Sequence, residues 1–142
     1  MKKLVFLLTI MAGVSFANAQ KIQEKGVPAS VKAGLQKQFP NAKGVKWEKE
    51  KGNYEAGFKL NATDYSVLLN ASGSVLETET AMAVNALPAP VKDYVAKHYP
   101  GKKIKEAAKI TDAKGIVTYE AEVSGKDLIF DKSGKFIMAQ KD

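Results

Sequence analysis

VPASVKAGLQKQFP at residues 27–40 returns as LPAPVKDYVAKHYP at residues 87–100, sixty positions later. Pro28 aligns with Pro88, Val31 with Val91, Lys32 with Lys92, Leu35 with Val95, Phe39 with Tyr99 and Pro40 with Pro100. Two further blocks follow in the same order. YEAGF from Tyr54 matches YEAEV from Tyr119, and LNASGSVL from Leu69 matches FDKSGKFI from Phe130. The three offsets, 60, 65 and 61, differ only by loop-sized insertions. Chance similarity rarely keeps three blocks in order, so the chain carries one structural unit twice.

Each opening block predicts a short helix. Val27, Val31, Leu35 and Phe39 fall at every fourth position, which makes one apolar stripe. Leu87, Val91, Val95 and Tyr99 repeat it. Pro28 and Pro88 suit the helix start, where a missing N–H costs nothing. Pro40 and Pro100 end the helix, because the residue before a proline avoids the α region. Gly34 weakens the first helix by about 1 kcal/mol relative to alanine. Helices this short need packing to persist.

The rest of each unit alternates with a period of two. Val45 and Trp47 alternate with Lys46 and Glu48. Tyr54, Ala56, Phe58 and Leu60 alternate with Glu55, Gly57 and Lys59, and Tyr65, Val67 and Leu69 follow the same rule. The second copy gives Ile104, Ala108 and Ile110, then Val117, Tyr119, Ala121 and Val123, then Leu128 and Phe130. Such alternation predicts strands with one buried and one wet face. Residues 70–73, 112–115 and 131–134 carry Asn or Asp first and, at the fourth position, Gly, which is turn chemistry. The last strands are Ser74 to Glu79 and Lys135 to Gln140. The expected fold is therefore α+β: a tandem repeat of a helix plus a four-stranded antiparallel sheet. The two could line up as one continuous eight-stranded sheet with helices on one face. The expected boundaries are 20–80 for the first unit, 81–86 for an ordered linker, and 87–142 for the second.

Residues 1–19 read as an export signal. Lys2 and Lys3 precede an apolar run from Leu4 to Phe16, and Ala17-Asn18-Ala19 supplies the small-x-small cleavage pattern. The run falls short of the roughly 18 apolar residues that a membrane span needs. The remaining 142 − 19 = 123 residues contain no second such run, so a periplasmic or secreted chain starting at Gln20 is expected. Cysteine is absent, which removes disulfides, thiol nucleophiles and thiolate ligands. The net charge of +7 becomes 7 − 2 = +5 without Lys2 and Lys3. All 22 basic residues are lysine, interleaved with acids. The missing arginine argues against a dedicated nucleic-acid site.

No catalytic or metal-binding constellation stands out. His98 is the single histidine and has no second ligand at a suitable spacing. Ser72, Ser74 and Ser133 sit in turns, Ser30 sits near a helix start, and the 131–135 segment lacks the later ligands of a calcium loop. Glu55, Glu120 and Glu122 fall on the wet face by alternation, where Lys46, Lys59 and Lys105 can partner them. Trp47 reads as core, but a one-residue register slip would turn it outward. Leu68 and Ile129 occupy matching positions and should point away from the helices, as exposed apolar residues that can mark an interface.

LPAPV at 87–91, KIKEA at 103–107 and FDKSGK at 130–135, in tandem behind an export signal, resemble the PepSY-like periplasmic proteins of Bacteroidetes. The first copy departs from that pattern with Asn70 in place of the usual Asp. The resemblance spans about Val27 to Lys141 and implies a fold like that of the β-lactamase-inhibitor protein. PepSY domains are associated with restraint of peptidases, and the inhibitor protein binds an enzyme across a concave sheet. The resemblance thus implies a non-catalytic, cofactor-free module whose open sheet face contacts a protein or peptide of the cell envelope. The candidate face comprises Lys46, Glu48, Glu55, Lys59, Leu68, Glu120, Glu122 and Ile129. The alternative is a small-ligand binder with a pocket between the repeats.

Overall fold

A computed structural model describes residues 19–141. Residues 1–18 of the expected export signal lie outside the described residues. The described residues form two α-helices and nine β-strands, an α+β fold with antiparallel pairing. The chain divides into two compact units, one ending at Thr78 and the other beginning at Glu79.

The first unit opens with a strand that the repeat pattern does not foresee, β1 (Gln20–Ile22). A 3-10 turn at Glu24–Gly26 leads into α1 (Ala29–Gln38). Then come β2 (Lys46–Glu50), β3 (Asn53–Leu60), β4 (Thr63–Leu69) and β5 (Val75–Met82), whose residues from Glu79 onward belong to the second unit. Strand order follows chain order, with β2 to β4 joined by tight turns. Lys51 and Gly52 take φ of 49° and 80° between β2 and β3, and Asn61 and Ala62 take 50° and 63° between β3 and β4. Paired positive φ values are the twist-matched geometry of two-residue hairpins. Glycine adopts it freely, whereas Ala62 does so at a cost.

The core of this unit lies between α1 and one face of the strands. Val31 and Leu35 of the predicted stripe are buried, and they join Trp47, Tyr54, Ala56, Phe58, Val67 and Leu69. Trp47 is only 4% exposed, so the strand register is the one that places it inside. Each of its large aliphatic and phenylalanine side chains contributes roughly 1.5–3 kcal/mol of burial. Phe39 closes one end of the core, with ring centroids 5.2 Å from Phe58 and 5.6 Å from Tyr65.

The second unit repeats the plan. After the 3-10 turn at Val84–Ala86 come α2 (Ala89–His98), β6 (Glu106–Asp112), β7 (Val117–Val123), β8 (Lys126–Asp131) and β9 (Phe136–Lys141). Its core joins Leu87, Val91 and Val95 to Ala107, Ala121, Val123, Leu128 and Phe130. One strand differs from the sequence expectation. Ala107 pairs with Ala121 and enters the core, while Ala108 and Ile110 pair with Glu120 and Thr118 on the other face. Two adjacent alanines in β6 give alternation no contrast, and the pairing with β7 decides the register.

The predicted turns are built by their first side chains. Asn70 Oδ1 accepts hydrogen bonds from Ser72 N at 3.1 Å, Ser72 Oγ at 2.6 Å and Ser74 N at 3.0 Å. Asp131 Oδ1 accepts the equivalent three, from Ser133 N at 2.9 Å, Ser133 Oγ at 2.6 Å and Lys135 N at 2.9 Å. The Ser133 hydroxyl, first among these donors, holds the Asp131 carboxyl below its ordinary value. Asp112 Oδ1 accepts from Lys114 N and Ile116 N in the β6–β7 turn.

Candidate functional site

In each unit the face of the strands that does not meet the helix is a grid of cross-strand rows. In the first unit Glu48 of β2 stands opposite Glu55 of β3, which stands opposite Leu68 of β4. The next row is Lys46, Gly57 and Ser66. Period-two alternation produces both rows, because Trp47, Tyr54, Ala56 and Val67 occupy the helix side. Glycine at 57 leaves the second row low in its middle.

Glu55 is the chemically distinctive group on this face. Ser66 Oγ donates a 2.8 Å hydrogen bond to Glu55 Oε1. Burial pushes the Glu55 carboxyl from 4.5 up to about 7, against the opposing effect of the Ser66 bond. The carboxylates of Glu48, Glu50 and Glu77 push it further in the same direction. Glu55 therefore exchanges a proton near neutral pH. Ser66 itself is 2% exposed, an interior hydroxyl held by its bond to Glu55.

In the second unit the rows are Ala108, Glu120, Ile129 and Met138, then Glu106, Glu122, Asp127 and Gln140. Glu106 and Glu122 are directly opposed like charges. Lys105 Nζ offsets this, 3.1 Å from Glu122 Oε1. Asp127 is 3% exposed, so the second row runs from rim to interior.

The eight residues singled out from the sequence divide by depth. Lys46 and Lys59 are exposed, and Lys59 Nζ lies 3.4 Å from Asp64 Oδ1. Glu48, Glu55, Glu120 and Glu122 are partly buried. Leu68 and Ile129 correct the expectation: they point away from the helices, yet are only 3% and 6% exposed. Each sits in a central strand, flanked on the neighbouring strand by a longer acidic side chain, Glu55 or Glu120. Lys105 and Glu122 form the expected cross-strand pair, while Glu55 takes a hydroxyl as its hydrogen-bond partner.

Sequence reasoning missed Ser66, Glu79 and Asp127, the buried polar residues. Alternation places Ser66 outward beside Tyr65 and Val67, but nothing in a single serine or aspartate announces burial. His98 is exposed and stacks on Tyr94 at 4.1 Å. Among the described residues no group of three or more His, Asp or Glu side chains is placed to hold a metal ion. Nor is any helix among them long and apolar enough to cross a membrane.

Solved structures share this fold. A DUF2874 family protein from Bacteroides uniformis superposes with a TM-score of 0.71 at 24% identity, covering 80% of this chain and 88% of that one. A BLIP-like protein from Bacteroides fragilis gives 0.65 at 23% identity, covering 80% and 85%. A Bacteroides eggerthii protein described as periplasmic gives 0.73 at 20% identity, covering 81% and 88%. No protein of curated function matches the chain. The family model described as beta-lactamase-inhibitor-like and PepSY-like matches twice, over residues 15–77 and 61–138. Those two matches take in both helix-and-strand units, and the chain belongs to this PepSY-like family.

Proposed function

We propose that the chain is a non-catalytic periplasmic binding module that contacts a protein or peptide of the cell envelope through the sheet face opposite the helices. The observation that carries this reading is the build of that face in both units. In the first unit Glu48 and Glu55 stand beside the buried Leu68, with Lys46 and Lys59 exposed beyond, and in the second unit Glu120 and Glu122 stand beside the buried Ile129. A face that presents charged side chains of both signs suits a partner of complementary charge pattern. The neighbour named BLIP-like supports an inhibitor-like role by analogy of fold. The partner under this reading is an envelope peptidase or another enzyme. The Ala17-Asn18-Ala19 pattern supports removal of residues 1–19 during export, so that the working protein begins at Gln20.

The test is affinity capture from an envelope extract with a Glu48→Lys, Glu122→Lys double variant. An Asp93→Lys variant, altered at an exposed position of α2, serves as the control. Circular dichroism establishes that all three proteins are folded. The reading predicts one partner captured by the parent and the control and lost from the double variant. Capture of the same partner by all three would refute it.

A further inference from the structure

We infer that the outer edge of β9 is a second contact surface, where an extended acidic peptide segment adds as a further strand. This edge belongs to the second unit and is separate from the face proposed above. β9 pairs with β8 on one side only and ends the strand order. A strand in that position turns a row of backbone N–H and C=O groups outward, a ready template for another chain. At the other end of the order β1 is three residues long, whereas β9 has six.

The side chains of β9 are left open as well. Ile137, Ala139 and Lys141 are exposed, and the residues between them are half-buried. Met138 lies opposite Ile129 and Phe136 opposite Phe130, so Ile137 is an extra residue with no counterpart on β8. A bulge of this kind bends the strand and re-aims a side chain. Ile137 is 52% exposed, one of two large apolar side chains so open among the described residues.

Charge selects the occupant. Every exposed charged residue of β8, β9 and the turn joining them is a lysine: Lys126, Lys132, Lys135 and Lys141. Asp127 is buried, and Asp131 is engaged by its three turn bonds. Lys126 and Lys141 stand directly opposite each other, a like-charge pair that a carboxylate between them would relieve. Beside them is a hollow of about 370 Å³, lined by both lysines, Ala139, Gln140 and the 124–125 turn. The small side chain of Ala139 leaves room there for a side chain of the added strand. Main-chain hydrogen bonds along such an edge give affinity, and pockets beside it select side chains. The fitting segment carries an apolar residue beside Ile137 and, about four positions away on the same face, a Glu or Asp beside Lys141. A second copy of this chain fits worse. Two β9 edges paired antiparallel would set Lys135 and Lys141 of each copy against those of the other.

The experiment titrates the isotope-labelled chain, purified after export from a bacterial host, with a capped synthetic peptide in which glutamate alternates with valine and threonine. Amide signals of residues 136–141 should shift and saturate. The same peptide with lysine in place of glutamate should bind at least about tenfold more weakly, and so should the glutamate peptide N-methylated throughout, which has no main-chain donors. A Lys126→Glu, Lys141→Glu double variant, altered at exposed positions and shown to be folded by its own amide spectrum, should weaken the acidic peptide to the same extent. An absence of saturable binding, equal binding of the acidic and basic peptides, or shifts confined to the face around Glu48 would overturn the inference. Shifts of the β9 amides that follow protein concentration without peptide would also overturn it, by giving the edge to a second copy of the chain.

Discussion

The two units share a plan but lock the hairpin onto the helix in opposite ways. In the first unit the lock is backbone against backbone. Gly34 of α1 lies so close to the 70–74 turn that a Cβ there would meet Gly73 O at 2.0 Å, and Ser30 Oγ donates to Ala71 O at 2.9 Å. In the second unit the residue aligned with Gly34 is Tyr94, the largest kind of change. Its ring stacks on Phe136 at 4.5 Å and meets Phe130 edge-on at 5.4 Å, and Phe130 lies 5.8 Å from Phe136. The positions aligned with Phe130 and Phe136 in the first unit are Leu69 and Val75. Aromatic packing in that unit sits elsewhere, in Phe39, Phe58 and Tyr65, with the last two stacked at 5.6 Å. Duplication thus preserved strand order and turn chemistry while the filling of the core drifted. A core tolerates such exchange if volume is conserved somewhere along it.

The largest expected effect comes from removing the second unit's aromatic lock. Phe130 is fully buried, so Phe130→Ala should cost about 3–5 kcal/mol, and Leu69→Ala in the first unit somewhat less. Urea denaturation followed by Trp47 fluorescence, a probe within the first unit, and by far-ultraviolet dichroism checks both. Equal losses would mean that the aromatic cluster adds nothing beyond its volume.

Next in size is Gly34→Ala. Alanine is the better helix former by about 1 kcal/mol, yet its methyl group would collide with unyielding backbone. The clash should win, for a net loss of about 2 kcal/mol in a urea titration. A gain would show that the turn can step back from the helix.

Glu55 distinguishes the two faces by pH. Its folded-state value of about 7 lies above the ordinary 4.5, so folding favours the protonated form. The contribution of Glu55 to stability should be fully present below about 4.5 and be lost as pH rises through about 7. The swing is on the order of 2 kcal/mol after discounting for partial exposure. Glu55→Gln should flatten the profile read by Trp47. An unchanged slope would assign the pH dependence to another group.

The smallest effect is at a turn. Ala62 holds φ of 63° where the second unit has Gly125 at 70°. Ala62→Gly should therefore stabilise by about 1 kcal/mol in thermal melts, despite the greater freedom that glycine gives the unfolded chain. A loss would mean that unfolded-state entropy dominates.

These contrasts explain what could be read in the sequence. The helices, the turns at 70–73, 112–115 and 131–134, and most strand faces were legible, because proline placement, Asx chemistry and alternation are local signals. Gly34 could be read only as a defect in a helix, since the turn it meets lies about forty residues away. β1 was invisible because three residues are too few to show alternation, and its counterpart sixty positions on reads as the end of β5. The face of β6 was misread, because Ala107 and Ala108 look alike until β7 is paired with them. The depth of Leu68 and Ile129 was also illegible. Alternation tells which way a side chain points but not what flanks it. The outward direction of Leu68 and Ile129 was therefore legible, and their depth was not.

The sheet face as a contact surface is tested most directly by site-specific photo-crosslinking in living cells. One protein would carry the photoreactive side chain at Glu48, and another would carry it at Lys92 on the exposed side of α2. The account predicts a discrete crosslinked partner from position 48 and none from position 92. Crosslinks from 92 alone, or the same products from both, would contradict it.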